Sequence, residues 1–330
     1  MKKGLPTKKE IFKRVVIILV AALLIAALLI AVYLWEKGHS DYSGDILLEE
    51  VVEFEGQKYQ LRSNVETMLI MGLDKFGDSV GDASYNNDRQ ADFLLLLVFD
   101  KEREVTTAIQ INRDTMTEVS VLGLGGKKVG TVTQQVALAH TYGTGSGDSC
   151  KNTVEAVSKI LGGVKINHYL SITMDVVALI NDAIGGVTLT VKDDLTSYSD
   201  RLVKGEELTL KGDEALIYVR SRYSAADSSN KARMERQRQY LEAMYTQMTD
   251  SMAADDDVLD DVILDASEYI VTDCTSAQLE LFLHRLSSYD NAGIHAPQGN
   301  YVENQYVEFY PDANATQKML IEVFYKLKED

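Results

Sequence analysis

Apolar and polar positions along the 330-residue chain fall into three patterns. The first is unbroken: Val15 to Leu34, VVIILVAALLIAALLIAVYL, carries no charge over twenty residues. A helix of that length rises about 30 Å, the thickness of a bilayer's hydrocarbon core. The second pattern is the short apolar run. Val65 to Leu73 (VETMLIMGL) and Asp92 to Asp100 (DFLLLLVFD) read as strands buried on both faces, with further strands at Glu104 to Asn112, His168 to Thr173 and Val187 to Val191. The third is helical spacing, at Thr133 to Thr141, Asn152 to Leu161, Asp175 to Ile184, Asp213 to Arg220, Lys231 to Met248 and Ser276 to Leu286. Gly185-Gly186 stops the third of these helices. Glu53 to Leu61 reads as a strand pair turning at Gly56, Lys75 to Gln90 as a polar loop, and Tyr301 to Tyr325 as a hairpin-like segment with a final helix from about Thr316.

Interleaved strands and helices predict an α/β fold: a single layered αβα domain with a central mixed sheet, preceded by one N-terminal transmembrane helix. The expected division is a basic tail (1–14), an anchor (15–35), a stalk with lead-in strands (36–60), a main domain (61–250) and a C-terminal segment packing on it (251–330).

Charge sets the orientation. Lys2, Lys3, Lys8, Lys9, Lys13 and Arg14 precede the apolar run against Glu10 alone, which places the N-terminus in the cytoplasm and the rest outside, with Trp35 at the interface. A cleaved signal peptide would have a shorter apolar region ending in small residues. Subtracting the +5 of residues 1–35 from the overall −17 leaves −22 on the remainder. So acidic an ectodomain excludes nonspecific nucleic-acid binding. The two cysteines, Cys150 and Cys274, are compatible with a disulfide or with two buried thiols. No Cys/His spacing suggests a metal, and the five histidines read as surface or core residues. Asp255 to Asp261, DDDVLDD, lacks the glycine and terminal glutamate of a calcium loop and reads as an acidic linker.

Against this background Arg220, Arg222, Arg233, Arg236 and Arg238 fall within nineteen residues. Guanidinium groups form paired hydrogen bonds to phosphate oxygens, so the cluster marks an anion site. Arg233 and Arg236 share a helix face, while Arg220 and Arg222 end the preceding helix, where its dipole favours cations. Asp74, Arg89, Asp92 and Arg113-Asp114 lie at strand ends, where ligands of α/β sheets collect. Asp74 and Asp92 are candidate Mg²⁺ ligands and Arg113 completes the clamp.

In these residues the chain resembles the LytR–CpsA–Psr proteins of the bacterial envelope. The similarity runs in order through MLIMGLDK, DRQADFLLLLVFD, QINRDTM, LINDAIGGVTLTV, LKGDEALIYVRSRY and ARMERQRQY, over roughly residues 61–245. The family's Arg-x-Asp-Thr appears here as Arg89-Gln90-Ala91-Asp92-Phe93, one residue longer. The resemblance implies a membrane-anchored extracellular phosphotransferase that moves a glycopolymer from an undecaprenyl-pyrophosphate carrier to peptidoglycan, its polyprenyl tail in an apolar pocket. Carried over, Arg89, Arg113, Arg220, Arg222, Arg233 and Arg236 would hold the pyrophosphate. Asp92 and Arg113 would be catalytic, and Asp74 and Asp92 would bind Mg²⁺. A polyprenyl-pyrophosphate hydrolase and a non-catalytic lipid-carrier receptor remain the alternatives.

Overall fold

The chain enters the fold through a hairpin, β1 (Val51–Phe54) and β2 (Gln57–Leu61), turned at Glu55 and Gly56 with φ of 51° and 77°. The computed structural model describes residues 48–73, 90–143, 147–173, 175–221, 230–255, 258 and 266–328. The expected membrane segment lies outside them, as does nearly all of the 75–90 loop and most of the 255–261 linker. Among the described residues no helix is long and apolar enough to cross a bilayer.

Strands β3 (Val65–Leu73), β4 (Ala91–Asp100) and β5 (Val105–Ile111) follow, with β4 antiparallel to both of the others. A ribbon of β6 (Met116–Leu122) and β7 (Lys128–Gln135) leads to a 3-10 turn at Val136–Tyr142 and then to α1 (Gly147–Ile160). Next come β8 (His168–Thr173), α2 (Asp175–Ala183), β9 (Val187–Thr190), β10 (Glu207–Leu210), α3 (Asp213–Arg220) and α4 (Lys231–Ala254). The last elements are β11 (Ile270–Thr272), α5 (Ser276–Ser288), β12 (Asp290–His295), β13 (Gly299–Glu303), β14 (Val307–Pro311), α6 (Ala313–Phe324) and β15 (Tyr325–Leu327).

The central sheet has the order β11-β8-β3-β4-β5-β12. It is mixed: β3 with β8 and β5 with β12 run parallel, the other pairs antiparallel. Alternate residues of β4 explain its continuous apolar run. Leu94, Leu96 and Val98 pack with Ala156, Val157, Leu320 and Phe324 of α1 and α6. Leu95, Leu97 and Phe99 pack with Leu241 of α4 and with Leu279 and Phe282 of α5. Both faces are therefore covered by helices, the layering that a fully apolar strand requires. A further cluster, Ile184, Val187, Leu210, Tyr218 and Tyr240 among others, joins the β9–β10 hairpin to α3 and α4. Strand β15 pairs with β2, so the chain's last described strand closes on its first hairpin.

One helical expectation is corrected. Thr133, Gln134 and Gln135 belong to β7, and only Val136–Tyr142 turns, as a 3-10 helix. The β-branched Val132 and Thr133 favour extended backbone, and pairing with Val119 and Glu118 of β6 holds them there. Among the described residues the other predicted strands and helices form, though α1 begins at Gly147 rather than Asn152 and α4 runs to Ala254 rather than Met248. Gly185 and Gly186, at φ 84° and 92°, do terminate α2. A side chain at Gly186 would meet the Leu210 carbonyl at 2.7 Å.

Candidate active site

Antiparallel pairing brings the start of β4 and the end of β5 to one end of the sheet. There Leu73 faces Ala91 while Gly72 faces Phe93, so Asp92 is the extra residue of a β-bulge. A bulge re-aims a side chain without shifting the rest of the strand. Gly72 is required opposite it, since a Cβ there would lie 2.9 Å from that of Phe93.

Asp92 is 7% exposed and lies between two arginines. Arg113 Nη1 donates to Asp92 Oδ1, its Nη2 donates to Gln90 Oε1 at 2.6 Å, and its Nε lies 3.4 Å from Asp114 Oδ1. Arg233, from the first turn of α4, approaches Asp92 Oδ2 at 3.8 Å, an ion-pair rather than a hydrogen-bond distance. Both guanidinium residues are buried, Arg113 at 8% and Arg233 at 7% exposure. A chain of amides holds them. Arg233 Nε donates to Asn230 Oδ1 at 2.7 Å, Asn230 Nδ2 to Asn112 Oδ1 at 3.3 Å, and Asn112 Nδ2 to the Tyr301 hydroxyl at 2.8 Å. Gln135 Nε2 donates to Asp114 Oδ1 at 3.3 Å, and the Phe309 amide donates to the Asp114 carbonyl at 2.9 Å, tying β7 and β14 to this end. Burial makes each pairing obligatory, because an uncompensated charge here would be costly.

Arg236 sits one turn beyond Arg233, fully buried, and its nitrogens go elsewhere. Nε donates to the Tyr218 carbonyl at 3.1 Å, Nη2 to the Ser221 carbonyl, and Nη1 to Asp193 Oδ2 at 2.6 Å. Gln237 Nε2 adds a bond to the Val219 carbonyl at 3.2 Å. These carbonyls close the C-terminus of α3, where four are left without helical partners. Arg236 therefore ties α4 to the end of α3 and directs none of these bonds toward Asp92. Arg220 ends α3, half-buried. Asp74, Arg89 and Arg222 lie outside the described residues.

Beside the cluster, a groove of about 870 Å³ is lined by Asn112, Lys231, Arg238, His295, Tyr301 and Lys318, among other residues. Its lining is mixed, with the apolar Met234, Ile294, Phe309 and Met319 beside these polar side chains. Away from this end, Cys150 Sγ lies 3.8 Å from His140 Nε2, but burial pushes the Cys150 thiol up to about 12, so the pair is no activated nucleophile. Both cysteines are free thiols, Cys150 buried and Cys274 half-buried.

Sequence reasoning missed Gln90, Asn112, Asn230, Asp193 and Tyr301. Asn112 was detectable as a polar residue ending an apolar strand, and Asn230 as a cap before a helix. Nothing local pointed to Asp193 or Tyr301, which reach the region only through tertiary packing.

The profile of the LytR_cpsA_psr family matches residues 36–329. This chain belongs to that family. Among curated relatives, the polyisoprenyl-teichoic acid–peptidoglycan teichoic acid transferase TagU of Halalkalibacterium halodurans is 29% identical over 181 residues, 55% of this chain and 52% of the relative. TagU of Bacillus cereus is 31% identical over 185 residues, 56% of this chain and 52% of the relative. The aligned segment thus spans about half the length of these relatives. Bacillus subtilis TagV superposes with a TM-score of 0.59 at 23% identity, covering 78% of this chain and 96% of TagV. TagT bound to LI-WTA superposes at 0.58 and 20% identity, covering 79% and 90%. These likenesses establish the shared LytR_cpsA_psr fold, a mixed α/β domain around a mixed sheet.

Proposed function

We propose that this protein is a membrane-anchored phosphotransferase that moves a glycopolymer from an undecaprenyl-pyrophosphate carrier to peptidoglycan. Its N-terminus would be cytoplasmic and its folded domain extracellular, held by residues 15–35. The observation that carries the reading is the buried Arg113–Asp92–Arg233 cluster at the end of the sheet. A diphosphate brings more negative charge and more acceptor oxygens than the single carboxylate now between the guanidiniums, so it can exchange for it.

In the transfer, an acceptor sugar hydroxyl attacks the phosphorus next to the glycan. The bridging P–O bond breaks, undecaprenyl phosphate leaves, and a phosphodiester forms. Arg113 and Arg233 would neutralise charge developing on the phosphoryl oxygens and the bridge, the main demand of this chemistry. Arg220 stands at the dipole-favoured end of α3 and, with Arg89 and Arg222, would extend the clamp. Arg236 would act at one remove, by fixing the α3 terminus.

The donor chemistry fits Mg²⁺: Asp92 offers a hard carboxylate oxygen, its Oδ2 lying 3.8 Å from Arg233 Nη1 at an ion-pair distance. Asp92 and Asp74 would hold the ion, which when bound offsets diphosphate charge. Asp92 would otherwise take the proton from the acceptor hydroxyl. Two nearby arginines disfavour a divalent cation alone, so the ion would enter with the diphosphate. The mixed groove would seat acceptor glycan.

The test incubates the full chain in detergent with Mg²⁺ and a short glycan on a lipid pyrophosphate, with and without peptidoglycan oligomers. Glycan joined to the oligomer by the wild type and not by Arg113→Ala supports the transferase. Phosphate release independent of oligomer indicates a hydrolase, and binding without turnover a receptor.

A further inference from the structure

At the opposite end of the central sheet, β8 and β11 bring together three side chains of metal-ligating type from positions far apart in the chain. His168 opens β8. Asp273 and Cys274 follow β11, whose Thr272 pairs with Leu170. His168 Nδ1 lies 3.6 Å from Asp273 Oδ1, Cys274 Sγ lies 3.9 Å from the same oxygen, and the three donor atoms fall within 4.8 Å of one another. Among the described residues this is the one group of three or more such side chains so placed. We propose that His168, Asp273 and Cys274 form a binding site for a borderline-soft divalent cation of the zinc type.

The spacing carries the argument. Zinc bonds of about 2.0–2.3 Å to N, O and S in tetrahedral geometry put ligand atoms about 3.3–3.6 Å from one another. The observed 3.6 and 3.9 Å are longer than good hydrogen bonds and within a few tenths of an ångström of those separations, and the third edge, His168 to Cys274, is within 4.8 Å. His168 Nδ1 is buried and makes no hydrogen bond, an orphan polar atom that a metal bond would satisfy.

The surroundings support the same geometry. His168 Nε2, the nitrogen facing away, lies 3.7 Å from Glu66 Oε1, and Glu66 is held by Arg285 Nη1 at 2.7 Å. At that distance the carboxylate makes no hydrogen bond to the ring, but it stands on the side where a ligating imidazole usually finds a carboxylate partner. Asp273 is fixed as well, its Oδ1 accepting from the Tyr169 amide at 2.9 Å, and the Cys274 amide donates to Thr272 Oγ1 at 3.1 Å. Mixed N, O and S donors select zinc-like ions over Mg²⁺, which takes oxygen alone. Three protein ligands leave a fourth position for water. Thr275 immediately follows as the cap of α5, so an ion here would clamp the edge strand β11 and the start of α5 to β8.

The experiment uses the full chain in detergent, freed of metal by a chelator, with Co²⁺ as the spectroscopic probe and Zn²⁺ as competitor. We expect one Co²⁺ per chain, with tetrahedral d–d bands, a near-ultraviolet thiolate-to-cobalt band, and displacement by Zn²⁺. C274S should abolish the thiolate band, and C274S and H168Q should each weaken binding about 100-fold or more, whereas C150S leaves both readouts unchanged. E66Q, with all three ligands in place, should weaken binding about 10–100-fold. Far-ultraviolet circular dichroism checks that each variant is folded, and should H168Q fail to fold, C274S decides the matter. No stoichiometric Co²⁺, a spectrum without the thiolate band, or a band that survives in C274S overturns the site.

Discussion

Arg233 and Arg236 stand one turn apart on the same buried face of α4, yet they sit in different electrostatic regions. Around Arg236 the partners are mostly backbone: two carbonyls at the end of α3, plus Asp193. Around Arg233 they include two side chains, Asn230 on Nε and Asp92 opposite Nη1, and Asp92 is shared with Arg113. Backbone carbonyls cannot leave without unwinding α3. A shared carboxylate can be outcompeted by a more strongly charged anion. Helix periodicity establishes that two arginines point the same way, and only the partners reveal which one a ligand can recruit.

The largest expected effect would break the comparison on the Arg236 side. Arg236→Met leaves three α3 carbonyl and carboxylate acceptors without their donor, and should destabilise the fold by about 3–5 kcal/mol. Chemical denaturation of the folded region measures it. A loss under about 1 kcal/mol would mean that the α3 terminus does not depend on this residue.

Arg113→Met should cost rate as well as stability, since it also leaves buried Asp92 with one cation fewer. Losing one charged donor aimed at the developing phosphoryl charge costs about 10²–10³-fold in transfer rate, or about 2.7–4 kcal/mol of transition-state stabilisation. The decisive readout is kcat for the lipid-linked glycan, compared with unfolding free energy on the same preparation. Arg233→Met should follow the same pattern with a smaller rate loss, since it stands farther from Asp92. A variant that loses stability and keeps its rate would move these residues into the Arg236 class.

Diphosphate itself sharpens the contrast. A ligand present at about 100 times its Kd stabilises the folded state by about 2.7 kcal/mol. Thermal shifts with inorganic diphosphate and Mg²⁺ should therefore be large for the wild type and nearly absent for Arg113→Met. Mg²⁺ alone should shift neither, because the cluster already balances Asp92 with two cations.

How much of this was legible beforehand differs by element. The β4 run and the Gly185-Gly186 stop were readable because each answers to a local rule: alternate burial on two faces, and positive φ. The β6–β7 ribbon was not, since Lys128–Gln135 is mostly exposed and lacks a clean apolar period; its strand character comes from pairing. At the candidate site, Asp92 and Arg113 were visible as charges at the ends of apolar strands. The separation of Arg233 from Arg236 was invisible, because it depends on Asp193, 43 residues upstream of Arg236. The His168, Asp273 and Cys274 grouping was hidden for the same reason, as 105 residues separate His168 from Asp273.

The smallest prediction tests that distant partner. Among the described residues, Asp193 is the one side-chain acceptor of Arg236, at 2.6 Å and partly open to water. Asp193→Asn keeps an oxygen acceptor and removes the charge, so the hydrogen bond persists in a weaker, neutral form. Charge-assisted bonds exceed neutral ones by about 1 kcal/mol, and that is the expected loss of stability, with the transfer rate unchanged. A rate loss without a stability loss would place Asp193 in the transfer site itself and remove the distinction between the two arginines. An unchanged rate with a small stability loss would leave Arg236 where its carbonyl partners put it, as a tie between helices.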